Sequence, residues 1–288
     1  MNQNEKRALE LQRKYWDKYR EEVRRRWNER AVDRMMEQGS ASRMYGFQVN
    51  IHDRMRKNIG KLVEEVGQLS NEEKQFADVF MKKDFFIVHA SDAHLTDNAE
   101  RNLVIYSRVC LQEKGIEFPS HHSSVLDIGR LGNDDYVFFS LEVGNTLQKP
   151  WSLFGKDFYR IAYKKENMAL RHSSMVLVDQ LQPGPPNSRM IKNISKRAHD
   201  CLKLRVFMEY SICFSGIDDC LRGLLYSIIL EIRNLTRSLE GDAKVLLSAR
   251  SDDEINRIIN GLFRPEVRVP RMIGITRGDY QTIMWRKN

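Results

Sequence analysis

The segment RPEVRVPRM at residues 264–272 combines a strand-forming pattern with two charged side chains that could do chemistry. Val267 and Val269 favour a β-strand. Glu266 and Arg268 alternate with them, so the carboxylate and the guanidinium project from the same face. Prolines on both sides are typical of a strand at the edge of a sheet. Two interpretations follow: the solvated face of an edge strand, or a carboxylate that faces a cleft and stabilises positive charge there.

Other common chemistries have little support in the sequence. The chain has seven histidines, but no HExxH motif or Cys/His quartet gives them the spacing of metal ligands. No GxGxxG motif after a strand and no GxxxxGK[ST] motif are found, so neither a Rossmann nor a P-loop nucleotide site is expected. The four cysteines form no CxxC pair, which indicates reduced thiols; they stand at positions 110, 201, 213 and 220.

A histidine, a group of aromatic residues and a glutamate follow one another in three predicted strands. The first strand ends with His89 and Ser91, and the last contains Glu266. The strand between them contains Tyr136, Phe138 and Phe139. An enzyme that transfers ADP-ribose from NAD needs such groups in this order: a histidine on a ribose, rings stacked on nicotinamide, and a carboxylate beside the reacting ribose. The order is common in chains of this length, so alone it leaves a structural histidine and a solvated glutamate as alternatives.

Two further residues of these strands have open roles. Side chains alternate along a strand, so Phe138 and Phe139 face opposite ways, and we choose Phe139 as the ring that stacks on nicotinamide. Glu142, on the same strand, is a possible second carboxylate, and a solvated face is the alternative.

Helices predominate in the N-terminal part of the chain. Residues 5–37 contain no Gly or Pro, carry apolar residues at helical spacing, and are predicted to form one long basic helix. The Arg24-Arg25-Arg26 run and its neighbouring tryptophans suit an acidic, apolar groove such as that of calmodulin; packing on the protein's own domain is the alternative. A second helix is predicted over 52–66. A third begins at a capping box, Ser70-x-x-Glu73.

The rest of the chain alternates strand and helix patterns. Predicted strands cover 85–91, 136–143, 157–163 and 173–181, and a Pro/Gly-rich loop follows at 182–188. Residues 217–240 predict a largely buried helix. Ser251 caps another, which ends near Gly261, just before the strand of Glu266. We therefore predict an α+β protein with a helical, basic N-terminal region at 1–75 and a second domain at 76–288.

Charge and hydropathy restrict the environment and the partners. The net charge is +8, and residues 1–60 hold 15 Lys/Arg against 9 Asp/Glu, so most of the excess lies there. This favours an acidic protein partner or a membrane surface. Nucleic acid is disfavoured because no zinc-finger spacing or RNP-type aromatic motif accompanies the charge. No apolar run is long enough for a membrane span, and no cleavable signal peptide is expected at the N-terminus.

Several segments resemble the OspC and CopC arginine ADP-riboxanases, bacterial effectors that type III secretion delivers into the host cytosol. The segments are FRPEVRVPRM, NDDYVFFSLEVGN, FGKDFYRIAY and SRMYG. The resemblance implies an ADP-ribosyltransferase-like split β-sheet domain with flanking helices, which uses NAD as a co-substrate and needs no metal. It also implies that Glu266 is catalytic. The residues implied to bind the cofactor are His89, Ser91, Tyr136, Phe138, Phe139 and Arg268. Arg268 would bind the pyrophosphate of NAD or orient the acceptor, and a plain surface arginine is the alternative.

Two departures from those effectors affect the expected target. Only 22 residues follow Glu266, fewer than one ankyrin repeat of about 33 residues, whereas OspC and CopC proteins continue into ankyrin repeats that capture caspases. Arg268 also stands where the family tends to have a histidine. The resemblance therefore shifts towards the ankyrin-less effector CteC, and the expected acceptor is a threonine of host ubiquitin. The alternatives are a caspase-directed arginine ADP-riboxanase activated by calmodulin, and a non-enzymatic module that binds a host protein.

Overall fold

A computed structural model describes residues 51–96, 101–118, 136–145, 152–171, 173–177, 188–203, 213–236 and 238–284. These residues form an α+β structure, as the sequence predicts. The long basic helix predicted over 5–37 lies outside the described residues, as does almost all of the loop predicted over 182–188. No helix in the described ranges is long and apolar enough to cross a membrane.

The predicted helices are confirmed where the chain is described. The helices are α1 (Ile51–Val66), α2 (Asn71–Met81), α3 (Arg108–Glu113), α4 (Lys196–Lys203), α5 (Ile217–Thr236), α6 (Glu240–Leu247) and α7 (Asp252–Leu262). Capping boxes begin α2 and α7: the Ser70 hydroxyl accepts from the Glu73 N–H, and Ser251 does the same for Glu254. The single helix predicted over 217–240 ends at Thr236, and a separate helix begins at Glu240.

Seven of the described strands form one sheet. The strands are β1 (Phe85–Ser91), β2 (Leu103–Tyr106), β3 (Tyr136–Val143), β4 (Asp157–Ala162), β5 (Ser174–Val176), β6 (Cys213–Ser215), β7 (Glu266–Pro270), β8 (Met272–Ile275) and β9 (Tyr280–Met284). The order in the main sheet is β6-β5-β7-β3-β1-β4-β9, and every pairing is antiparallel. β2 and β8 pair separately. The main sheet therefore places β1, β3 and β7, the three strands of the predicted site, side by side.

The strand of Glu266 lies inside the sheet, so the prediction of an edge strand is wrong. β7 pairs with β3 on one side and with β5 on the other. The prolines do not prevent this, because Pro265 precedes the strand and Pro270 is its last residue. Neither proline removes an N–H group from the middle of the hydrogen-bond ladder.

One hydrophobic core joins the helices to the sheet. Its buried members include Leu62 of α1, Phe76 of α2, Ile87 of β1 and Leu224 of α5. α1 and α2 both contact α5. The domain boundary predicted between residues 75 and 76 falls within α2, and residues 1–50 lie outside the described part of the chain, so the division into two domains stays a prediction.

Candidate active site

A gap opens between β1 and β3 in the middle of the main sheet. The ladder between these strands ends at the pair Val88 and Ser140. Beyond that pair, β1 stays paired with β4 as far as Ser91, while β3 stays paired with β7 back to Tyr136. The gap between residues 89–91 of β1 and residues 136–139 of β3 is called the split below. Its edges carry the residues that the sequence singled out for cofactor binding.

His89 lies in the split and bonds across it. Its Nδ1 is 3.0 Å from the carbonyl oxygen of Phe138, and its ring centroid is 5.6 Å from that of Phe139. Burial lowers the pKa of the imidazole below its usual value, and the Phe138 carbonyl opposes this to a smaller extent. A neutral imidazole with Nδ1 facing a carbonyl must donate its proton there. Nε2 is then left with a lone pair, so it can accept a hydrogen bond from a hydroxyl group.

Glu266 and Arg268 form an ion pair on one face of β7. Nε and Nη2 of Arg268 are each 2.7 Å from Oε1 of Glu266. The Glu266 side chain is 39% exposed, and the Arg268 side chain is 3% exposed. The guanidinium carbon of Arg268 is 5.4 Å from the ring centroid of Phe138. The arginine is therefore enclosed by protein, while the carboxylate remains accessible from solvent.

The sheet register divides the predicted site residues between two faces. Phe138 lies opposite Arg268, and Ser140 lies opposite Glu266, so these four share a face. His89 follows Val88, the register partner of Ser140, and therefore points to the other face, as Phe139 does. Residues on opposite faces of an intact sheet cannot share a ligand. The two groups can meet only where β1 and β3 separate, which is the split.

The three candidate aromatic residues differ in accessibility. Phe139 is 2% exposed and belongs to the hydrophobic core, and Tyr136 is 4% exposed. Phe138 is partly exposed. The accessible ring is therefore that of Phe138, although the sequence led us to choose Phe139.

The rim of the split beyond β1 is held against β4. Ser91 Oγ accepts a hydrogen bond from Ala93 N, and the turn residue Gly155 packs so tightly that a Cβ there would lie 1.9 Å from the Ser91 carbonyl carbon. Tyr159 OH accepts from Leu95 N. Ser91 therefore shapes the end of β1, where the split is open.

Ser140 is a candidate residue that the sequence analysis missed. It is partly exposed at the closed end of the split, and its hydroxyl lies 3.5 Å from the Val88 carbonyl oxygen. It also faces Glu266 across the ladder. The signal in the sequence is its position two residues after Phe138, which puts both side chains on one face.

Glu142 is buried, so its interpretation as a solvated residue is wrong. Its side chain and that of Arg160 are both fully buried, with Arg160 Nε 3.8 Å from Glu142 Oε2. Arg160 also lies over the Phe86 ring, with its guanidinium carbon 3.5 Å from the centroid. Burial lowers the pKa of Arg160, and Glu142 opposes this. Glu142 therefore neutralises a buried cation within the sheet, away from solvent.

The described residues provide no group of three or more His, Cys, Asp or Glu side chains that could hold a metal ion. Of the cysteines with described side chains, Cys110 and Cys220 are buried and Cys201 is exposed.

Comparison with known proteins identifies a distant relative. No family model matches the chain. The arginine ADP-riboxanase OspC1 of Shigella flexneri is 24% identical over 241 residues, covering 77% of this chain and 48% of OspC1. The chain thus spans about half the length of this relative. At this level of identity the similarity supports an effector of the OspC/CopC type and nothing narrower.

Proposed function

We propose that this protein is an NAD-dependent enzyme that transfers ADP-ribose to a protein of a host cell. The observation that carries the proposal is the split, where His89 lies on β1 with its Nδ1 at the Phe138 carbonyl, and an accessible Glu266 lies two strands away on β7. The similarity to an arginine ADP-riboxanase supports the same class of reaction.

The reaction places three demands on the protein, and residues at the split can meet them. The N-glycosidic bond to nicotinamide breaks, its electron pair leaves with nicotinamide, and positive charge develops on the ribose. A carboxylate beside that ribose stabilises the charge, which is the proposed role of Glu266. The nicotinamide ring needs an apolar surface, and Phe138 offers the accessible one. His89 Nε2 would accept a hydrogen bond from a hydroxyl of the adenine-side ribose.

The remaining cofactor-binding candidates have supporting roles in this proposal. Ser91 would order the end of β1 beside the bound dinucleotide, through the turn that it closes with Ala93. Tyr136 and Phe139 are buried and would support the strand from within. The acceptor nucleophile then attacks C1′ of the ribose and loses a proton, so the products are an ADP-ribosylated acceptor, nicotinamide and H⁺.

Two alternative acceptor residues are proposed. The distant relative is named as an arginine ADP-riboxanase, so a host arginine, such as one in a caspase, fits the comparison at least as well as a threonine of ubiquitin. The ubiquitin prediction depends on Arg268, and no comparison supports it. We keep both acceptors as proposals, with calmodulin as a candidate activator and delivery into the host cytosol by type III secretion.

Mass spectrometry of acceptors tests the function directly. The protein is incubated with NAD and either ubiquitin or a host caspase, with and without calmodulin, and each acceptor is digested and mapped. We expect an added ADP-ribose on a threonine, or the corresponding arginine adduct that has lost ammonia. Glu266→Gln serves as the matched inactive control. Absence of any modified acceptor, together with no stabilisation of the protein by NAD in thermal unfolding, would favour the non-enzymatic binding module instead.

A further inference from the structure

We propose that Arg268 positions the Glu266 carboxylate for transfer and does not bind the pyrophosphate of NAD. This inference rests on the proposed function and assigns a different role to a residue that the sequence placed among the cofactor contacts. Arg268 would act on the reaction through Glu266, so it is a positioning residue.

The geometry of the pair fixes one carboxylate oxygen. Nε and Nη2 of Arg268 both donate to Oε1 of Glu266, each at 2.7 Å. Two donors from one rigid guanidinium fix the position of Oε1 more firmly than a single-point contact does. With Oε1 held there and the side chain anchored on β7, Oε2 is left to accept a hydrogen bond from the reacting ribose.

The surroundings of Arg268 hold its side chain in place. The Arg268 side chain is 3% exposed, and its guanidinium carbon is 5.4 Å from the ring centroid of Phe138, the residue opposite Arg268 in the ladder. A buried arginine has already lost most of its side-chain freedom on folding, so orienting Glu266 costs little further entropy when substrate binds.

The same features disfavour a pyrophosphate contact. To reach an anion in solvent, Arg268 would have to leave its enclosure, where 3% of the side chain is exposed, and its Nε and Nη2 already donate to Glu266. A pyrophosphate bound to Arg268 would also lie beside the Glu266 carboxylate, and the two negative charges would repel each other.

Kinetics of Arg268 variants separate positioning from cofactor binding. In Arg268→Gln we expect kcat to fall about 100-fold, because a misplaced reacting group costs about that much, while the Kd for NAD stays within twofold. Arg268→Lys keeps the charge but offers only a single-point contact, so its kcat should be intermediate. Arg264→Gln, an exposed arginine two residues before Glu266, is the matched control and should leave both values unchanged.

A double-mutant cycle makes the assignment specific to Glu266. Adding Arg268→Gln to Glu266→Gln should lower kcat no further, because the second change acts only through the first residue. Additive losses would overturn the inference, as would a raised Kd for NAD with unchanged kcat in Arg268→Gln. If Arg268→Gln does not fold, Arg268→Lys, which keeps the buried charge, takes its place in the cycle.

Failure of this inference can be distinguished from failure of the proposed function. A wild-type protein that neither binds NAD nor modifies an acceptor would overturn the function, and the role of Arg268 with it. An active wild-type protein whose Arg268→Gln variant keeps full turnover would overturn the positioning role alone. If Arg268→Gln lowers kcat in the otherwise wild-type protein but has no further effect when Glu266→Gln is present, both the proposed function and the positioning role are supported.

Discussion

His89 has two ring nitrogens in different environments, and two amide substitutions can separate their contributions. In His89→Asn, the amide nitrogen lies near the position of Nδ1 and can still donate to the Phe138 carbonyl, but the group at Nε2 is lost. In His89→Gln, the longer side chain places its amide near Nε2 and removes the donor to Phe138. If Nε2 binds NAD and Nδ1 stabilises the split, we expect His89→Asn to weaken NAD binding with little loss of stability. We expect His89→Gln to lower stability with little loss of NAD affinity.

The magnitudes follow from the contacts that each variant removes. A carbonyl left without a donor costs about 1–3 kcal/mol when buried, and His89 is only partly buried, so we expect about 1 kcal/mol for His89→Gln. For a chain of this length that corresponds to a Tm lowered by roughly 2–4 °C. One neutral hydrogen bond to a ribose hydroxyl contributes about 0.5–1.5 kcal/mol, so the Kd for NAD should rise about threefold to tenfold in His89→Asn.

Calorimetric titration with NAD and thermal unfolding of the same samples measure both quantities. The reasoning is refuted if both variants bind NAD as tightly as wild type, because His89 then has no contact with the dinucleotide. Equal losses of stability in the two variants would mean that the Nδ1 hydrogen bond is not what stabilises the split. The packing of the His89 ring against Phe139, which both amides remove, would then account for the loss.

Three other predictions use different parts of the site. Glu266→Gln should lower the transfer rate by about 10²–10³ and leave the Kd for NAD within threefold, as single-turnover kinetics and calorimetry would measure; a rate within threefold of wild type would remove Glu266 from the mechanism. Gly155→Ala should lower Tm by several degrees and weaken NAD binding, because φ at Gly155 is +149° and an added Cβ would lie 1.9 Å from the Ser91 carbonyl carbon. Gly278→Ala, with a positive φ but open surroundings, is the control, and equal effects of the two substitutions would contradict this reason. Burial lowers the pKa of His89, so below pH 6.5 the unfolded chain binds more protons than the folded one, and the free energy of unfolding should decrease until the pH has passed the folded-state pKa. Denaturant titrations of wild type and His89→Asn should differ in this pH window, and parallel curves would argue against the shift.

Local patterns in the sequence predicted the elements of the fold well. The capping boxes at Ser70 and Ser251 specify helix starts through bonds between residues three positions apart, and both bonds form. β1 and β3 have the predicted bounds because their aromatic and β-branched runs end at turn residues. Such signals are local, so they do not depend on what packs around them.

Predictions that depend on neighbours in space were less successful. The prolines predict an edge position for β7, but β5, which is far away in sequence, pairs with its second side. The sequence predicts that Glu142 is a second carboxylate of the site or a solvated residue, whereas Arg160 of another strand neutralises it in the interior. In both cases the deciding partner lies on a strand whose pairing the sequence does not reveal, because strand order depends on the whole chain.

The separation of β1 from β3 is what allows the proposed site to exist. Strict alternation places His89 on one face and Glu266 on the other, so in a continuous ladder no ligand could contact both. Once the ladder ends at Val88 and Ser140, the side chain of His89 enters the opening and bonds to the Phe138 carbonyl that a β1 partner would otherwise occupy. One unpaired carbonyl of the split, that of Phe138, is thus satisfied by the same histidine that would offer Nε2 to a ribose. A substitution that restored pairing beyond Val88 should therefore remove NAD binding even if Glu266, Arg268 and Phe138 were unchanged.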